Sequence, residues 1–144
     1  MADSIDKKIA QFKQEAGNKE QYNTEQQKIY SAFTKKNGSK TIINVVDCEG
    51  ISIRVCLDSS TEIRKILLKH YKTRIGTVTA KDILNMFDVM RTGKKEFQSG
   101  NYTYIKTKYR NINGVRIRYF LIIKLFPNGK DAVLKSFYTN EGYV

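Results

Sequence analysis

Two turn sequences constrain the fold of this chain more than any other feature. Asn113-Gly114 and Pro127-Asn128-Gly129 punctuate the last third of the sequence. Both suit tight antiparallel turns, because Asn and Gly accept the positive φ such turns need and Pro presets the entry. Around them lie NYTYIKTKYR (101–110), VRIRYFLIIKLF (115–126) and DAVLKSFYT (131–139). These runs are rich in β-branched and aromatic residues and contain no Pro. The pattern predicts a three-stranded antiparallel meander.

The remainder supplies another hairpin and several helices. TIINVVD (41–47) and ISIRVCL (51–57) flank Glu49-Gly50 and read as paired strands. Residues 3–16 carry a stripe of Ile5, Ile9 and Phe12, and residues 21–36 one of Tyr22, Gln26, Ile29 and Phe33, both at helical spacing. Gly17-Asn18 separates them, and residues 36–39 close the second. Ser59-Ser60 offers N-caps to a helix in which Ile63, Ile66, Leu67 and His70 share one face. Thr79 to Asp82 resembles a capping box, ahead of a stripe of Ile83, Leu84, Phe87 and Met90 that ends at Thr92-Gly93. The expected class is α+β, with N-terminal helices packed on one face of a twisted antiparallel sheet. Residues 1–38 read as a helical arm and 39–144 as the main domain, together one compact unit.

Charge narrows the partners. The 144 residues carry a formal net charge of +12, with 40% apolar residues. That is too apolar for a disordered tail, and no apolar run reaches the roughly 20 residues of a membrane span. The polar N-terminus, MADSIDKKIAQFKQE, does not read as a secretory signal. Residues 1–62 hold nine basic and nine acidic side chains, whereas residues 63–144 hold 17 basic and five acidic. Between Glu96 and Asp131 seven bases occur with no acid. A polyanion is the leading class of partner.

Strand alternation proposes where that charge is displayed. Tyr102, Tyr104, Lys106, Lys108 and Arg110 share one face of their strand. On the next strand Val115, Ile117, Tyr119, Leu121 and Ile123 form an apolar face, with Arg116 and Arg118 opposite. If helices cover the apolar face, the other presents Tyr102, Tyr104, Lys106, Arg116 and Arg118. Cations would meet phosphates and tyrosines would stack on unpaired bases, at about 1–3 kcal/mol each. A solvated sheet face also carries Lys, Thr and Tyr for no functional reason. The absence of acid across two adjacent strands favours the functional reading.

His70 is the only histidine. It suits a helix end, where its charge favours the dipole, and it is also the side chain best able to move protons near neutral pH. One histidine excludes a His-rich metal site and a Cys/His zinc site. Cys48 and Cys56 fall roughly 17 Å apart along a hairpin with Ile51 opposite Cys48 and Ile43 opposite Cys56, too far for a disulfide. Free thiols suit a reducing compartment.

RNA cleavage without a metal needs a base for the 2′-OH proton, an acid for the leaving 5′ oxygen and donors for the phosphorane. The chain offers His70, Arg116, Arg118 and the cluster Lys135-Ser136-Phe137-Tyr138-Thr139. In that cluster Ser136 and Tyr138 share one face, and Lys135, Phe137 and Thr139 the other. Ala132 and Leu134 assign the Ser136 face to the core; Val133 and Phe137 assign the opposite one.

A hairpin with the acidic-Gly turn DCEG, a helix ending in KH, the helix KDILNMFDVM, Tyr-rich and Arg-rich strands and a final KSFYTN occur in that order over residues 41–140. The order resembles the barnase–EndoU–colicin–RelE-like superfamily of small RNases, found as toxin domains of contact-dependent inhibition proteins and as phage-encoded nucleases. The resemblance implies a metal-independent ribonuclease toxin domain without cofactor. Its substrate would be tRNA or other RNA, and an acidic immunity protein its partner. It would be a monomer apart from that inhibitor, delivered to act in a target-cell cytoplasm. His70, Arg118, Ser136, Tyr138 and Thr139 would be catalytic. Tyr102, Tyr104, Lys106, Lys108, Arg116 and Lys135 would bind RNA. Many relatives pair two histidines, or His with Glu; here the partner of His70 must be Lys, Tyr or Arg. A non-catalytic nucleic-acid-binding module explains the charge equally well. A module docking an acidic protein is a third reading.

Overall fold

A computed structural model describes residues 3–35, 40–59, 61–74, 76–98, 100–109 and 116–141. The Asn113-Gly114 turn and the expected helix stop at 36–39 lie outside them. The elements are α1 (Asp3–Ala16), α2 (Thr24–Thr34), β1 (Lys40–Val46), β2 (Ser52–Asp58), α3 (Glu62–Lys69), α4 (Ala80–Leu84), α5 (Phe87–Thr92), β3 (Lys94–Gln98), β4 (Asn101–Tyr109), β5 (Arg116–Leu125) and β6 (Asp131–Glu141). The fold is α+β, as its sequence pattern predicts.

The six strands form one sheet in the order β1-β2-β6-β5-β4-β3. Every pair is antiparallel except β2 with β6, which run parallel over Arg54–Cys56 and Asp131–Val133. The expected β4-β5-β6 meander is present. β3 is additional: KKEFQ is polar and charged, so it has no hydrophobic alternation, yet it pairs along β4 from Lys94↔Ile105 to Gln98↔Asn101.

Helices cover one face only. Ile43 and Val45, Ile53 to Leu57 in alternation, Ala132, Leu134 and Phe137, and Leu121 and Ile123 are buried with side chains of all five helices in one cluster. Residues 1–38 contribute to that cluster through Ile5, Ile9 and Phe12 of α1 and Ile29 and Phe33 of α2. Phe12 stacks on Phe33 at 5.7 Å and meets Tyr71 edge-on at 5.9 Å. Burial of such side chains stabilises by about 1.5–3 kcal/mol each, so the arm is part of the core.

Local chemistry explains the element boundaries. Asn23 and Gln26 form a capping box at the start of α2, and Thr79 and Asp82 form one at α4, as the sequence predicts there. The helix expected to run through to Thr92 breaks instead at Asn85-Met86, giving α4 and α5. Asn85 caps α4 in a non-helical conformation, and its side-chain amide donates to the Lys81 carbonyl at 2.9 Å.

The β1–β2 register differs from the expected one. The connection spans Asp47 to Ile51, so Ile43 faces Val55, and Cys56 faces Ile42. The Asp47 carboxylate accepts the amides of Glu49 and Ile51, both at 2.9 Å, which stabilises this longer turn. Both cysteines are free.

Candidate functional site

The face of the sheet opposite the helices is a grid that can be read from the pairing. One row crosses four strands: Lys94 on β3, Ile105 on β4, Phe120 on β5 and Tyr138 on β6. The row on one side holds Thr107, Arg118 and Asn140. The row on the other holds Glu96, Thr103, Ile122 and Ser136. Adjacent rows on one face lie about 7 Å apart and adjacent strands about 4.8 Å apart.

A β-bulge decides which side of β6 is wet. Ile122 pairs with Ser136, but Ile123 pairs with Leu134, so Lys135 is the extra residue. The bulge reverses the alternation. Ala132, Leu134, Phe137 and Thr139 therefore all face the helices, while Val133, Ser136 and Tyr138 face outward. The two sets of apolar residues that point to opposite faces lie on either side of this bulge.

His70 reaches the same open row from outside the sheet. β2 pairs with β6 only as far as Val133, which leaves the C-terminal half of β6 with an edge that no strand among the described residues takes. The loop after α3 takes that edge. The Thr139 amide donates to the Gly76 carbonyl at 3.3 Å, and the Thr139 hydroxyl donates to the Thr77 carbonyl at 2.5 Å. The loop closes on itself where the Val78 amide donates to the His70 carbonyl at 2.8 Å. His70, the C-cap of α3, then lies against Tyr138, with ring centroids 5.3 Å apart and planes 29° apart. Tyr138 in turn stacks on Phe120 at 5.0 Å and 9°. The result is a three-ring stack, His70–Tyr138–Phe120, with Arg118 two residues along β5 on the same face. Burial pushes the Tyr138 phenol above its ordinary pKa, so it is protonated at neutral pH and able to donate.

Gly76 allows this approach. Its φ of +65° is in the left-handed region, and a Cβ there would lie 2.9 Å from His70 Nδ1 and 3.4 Å from the Tyr138 Cβ. No sequence pattern singles out Gly76, since its importance depends on two rings that only the fold brings against it.

Several expected site residues lie elsewhere. Tyr102, Tyr104, Lys106 and Lys108 pair with Ile123, Leu121, Tyr119 and Ile117, which puts them on the helix-covered side of the register, opposite Arg116 and Arg118. A shared Tyr/Arg face therefore does not form. The alternation within each strand holds, but a change of register by one residue between them reverses which faces are shared. Tyr104 is 0% exposed and cannot stack on a base. Its hydroxyl donates to Asp47 at 2.8 Å, and burial with that contact drives its pKa far up. The Tyr102 ring lies 4.2 Å from the Lys95 ammonium and meets Phe97 edge-on. The Lys108 ammonium sits 5.5 Å from the Tyr119 ring.

Thr139, expected to be catalytic, is 5% exposed and holds the His70 loop through the bonds above. It is a positioning residue. The Lys135 ammonium lies 3.9 Å from the Glu62 carboxylate, which opposes its charge within the chain. What remains on the open face is His70 against Tyr138, with Ser136 one row to one side, Arg118 and then Arg116 one and two rows to the other, and Phe120 as the ring that links two strands.

Among the described residues, no group of three or more His, Cys, Asp or Glu side chains comes together in a way that could hold a metal ion. Also among them, no helix is long and apolar enough to cross a membrane. Comparison of the chain with protein-family models, with curated proteins and with solved structures finds no match.

Proposed function

We propose that this protein is a metal-independent endoribonuclease that works on the open face of its sheet. The observation that carries this reading is the stack of the only histidine, His70, on Tyr138 at 5.3 Å, beside the Arg118 row. The 2′-hydroxyl of a ribose attacks the adjacent phosphorus and the bond to the 5′ oxygen breaks. The products are a 2′,3′-cyclic phosphate and a 5′-hydroxyl. His70 and Tyr138 are the proton carriers, one accepting the 2′-OH proton and the other supplying the leaving oxygen. Arg118 opposes the charge on the phosphorane, and Ser136 donates a hydrogen bond from the neighbouring row. Arg116 continues the cationic line along β5. In this reading the substrate is RNA, tRNA among the candidates. The chain serves as a toxin domain in a target cell, and an acidic immunity protein covers the basic face.

A second reading is a non-catalytic RNA-binding module. The half-buried Phe120 ring at the end of the stack favours it, since aromatic residues on sheet faces bind unpaired bases without cutting them. Incubation with total RNA in EDTA separates the two. Cleavage that His70→Ala abolishes supports the enzyme; binding by wild type without cleavage supports the module.

A further inference from the structure

A cationic hollow lies toward the β3 edge of the same face. It is a cavity of about 470 Å³ bordered by Lys94, Lys106, Arg118, Thr92, Thr107 and Glu96. Lys106 borders it from the rim, because β3 begins at Lys94↔Ile105 and leaves the β4 edge open from residue 106 onward. Three cations and the Thr107 hydroxyl surround one carboxylate, so the lining has a net positive charge. Its wall is set by backbone. A Cβ on Gly93 would lie 2.5 Å from the Val89 carbonyl oxygen and 2.6 Å from that of Ile105, so only glycine lets the end of α5 close onto β4. The hollow is therefore built into the fold.

Its position relative to His70 gives it a meaning. Lys94 occupies the same cross-sheet row as Tyr138, three strand spacings away, or about 14 Å. Arg118 borders both places. A single strand laid across β6, β5 and β4 with one phosphate at Arg118 and His70 carries its next phosphates toward Lys94. Its charge suits a phosphate group, its volume leaves room for the attached sugar, and the Thr107 hydroxyl can donate to a phosphate oxygen, whereas that of Thr92 already donates to the Asp88 carbonyl at 2.6 Å.

We infer that this cavity is a second phosphate subsite, which holds a backbone phosphate of the RNA away from the cut and makes the strand run across the β-strands. The inference rests on the RNA reading for its ligand, but the cavity can be tested without RNA.

The test is a titration with inorganic pyrophosphate followed by amide NMR, on wild type, His70→Ala and the double variant Lys94→Gln/Lys106→Gln. Wild type and His70→Ala are expected to shift at residues 92–96 and 105–107, and the double variant to lose those shifts. An unpaired oligoribonucleotide should then bind the double variant about tenfold more weakly. Its salt slope should fall by about 0.7 for each phosphate that no longer meets a cation. Absence of pyrophosphate shifts in wild type overturns the subsite, whether or not the protein cuts RNA. Shifts that the double variant loses while its RNA affinity and salt slope stay unchanged overturn the path across the strands. Absence of cleavage by wild type overturns the enzyme reading alone, because the pyrophosphate shifts are read independently of it.

Discussion

The Asp47 carboxylate accepts the Lys95 ammonium at 2.8 Å, and this contact helps to join the turn after β1 to β3, the strands at opposite edges of the sheet. The sheet must curl for its edges to meet, and α5 lies within the curl: the Cys48 amide donates to the Met90 carbonyl at 2.9 Å. Asp47 also accepts from Tyr104 and two turn amides, so both its oxygens are satisfied. The Lys95 side chain is 5% exposed and has Glu49 at 3.4 Å as a second partner.

Removal of the carboxylate leaves a buried ammonium with the more distant Glu49 as its counter-charge and the Tyr102 ring beside it. Asp47→Ala is expected to lower stability by about 3–5 kcal/mol, the usual range when one member of a buried pair is deleted. Tyr104→Phe should cost less, about 1.5–3 kcal/mol, for one hydrogen bond to a charged group. Urea unfolding measures both; an Asp47→Ala loss under about 1 kcal/mol contradicts the edge-to-edge contact.

The same contact predicts the pH profile of stability. Burial alone would push the Asp47 carboxyl up. The hydrogen bonds from Lys95, the Ile51 amide, Tyr104 and the Glu49 amide outweigh it and hold its pKa below the ordinary value. Its contribution is present above the unfolded carboxyl value, about 3.9, and is lost as pH falls through the lower folded value. Burial alone would lower the pKa of Lys95, and the hydrogen bonds and negative charges of Asp47 and Glu49 together outweigh it, leaving the pKa raised. That contribution is present below the unfolded lysine value, about 10.4, and is lost as pH rises through the folded one. Stability should therefore fall off at both ends. Asp47→Asn should flatten both limbs when unfolding free energy is measured from about pH 3 to about pH 11.

The loop that carries His70 is tied to β6 by Thr139. Thr139→Val keeps the shape and removes the hydroxyl that donates to the Thr77 carbonyl. The expected cost is about 1 kcal/mol, with faster amide exchange confined to residues 70–78. A slower cleavage rate should accompany it if His70 acts as proposed. Unchanged exchange in that loop contradicts the positioning role.

Gly76→Ala places a methyl group against the His70 ring and forces a non-glycine residue to φ +65°. The backbone cost is about 1–2 kcal/mol. The ring must also move, so RNA cleavage should fall further than stability alone explains. Gly129, also at positive φ, would have nothing within 4 Å of an added methyl group, so Gly129→Ala is the control for backbone strain without a clash. Equal effects of both variants on cleavage contradict the contact between Gly76 and His70.

The elements of this fold are largely legible in the sequence, because they depend on periodicity and capping. The stripes at Ile5-Ile9-Phe12 and Ile29-Phe33, the box at Thr79 and the meander all follow local rules. The phase between strands is not legible. Tyr104 and Arg118 lie on opposite faces because β4 pairs with β5 in one of two registers, and the choice depends on residues distant along the chain. The bulge at Lys135 is equally silent, since its only trace is the conflict between Leu134 and Phe137. β3 is hidden for a third reason: its pairing with β4 is made by backbone, and its polar side chains carry no apolar signal. The site is legible in part. His70 and Tyr138 meet and Arg118 shares their face one row away, whereas Asp47, which holds the sheet edges together, looks in the sequence like an ordinary turn residue.

The measurement that tests the central claim most directly is cleavage of total RNA in EDTA by wild type and by His70→Ala, with circular dichroism to show that both are folded. The account predicts cleavage by wild type to products ending in a 2′,3′-cyclic phosphate, and its loss by about a hundredfold or more in His70→Ala, the usual scale of acid–base catalysis. Equal cleavage by the two folded proteins, or none by wild type, contradicts it.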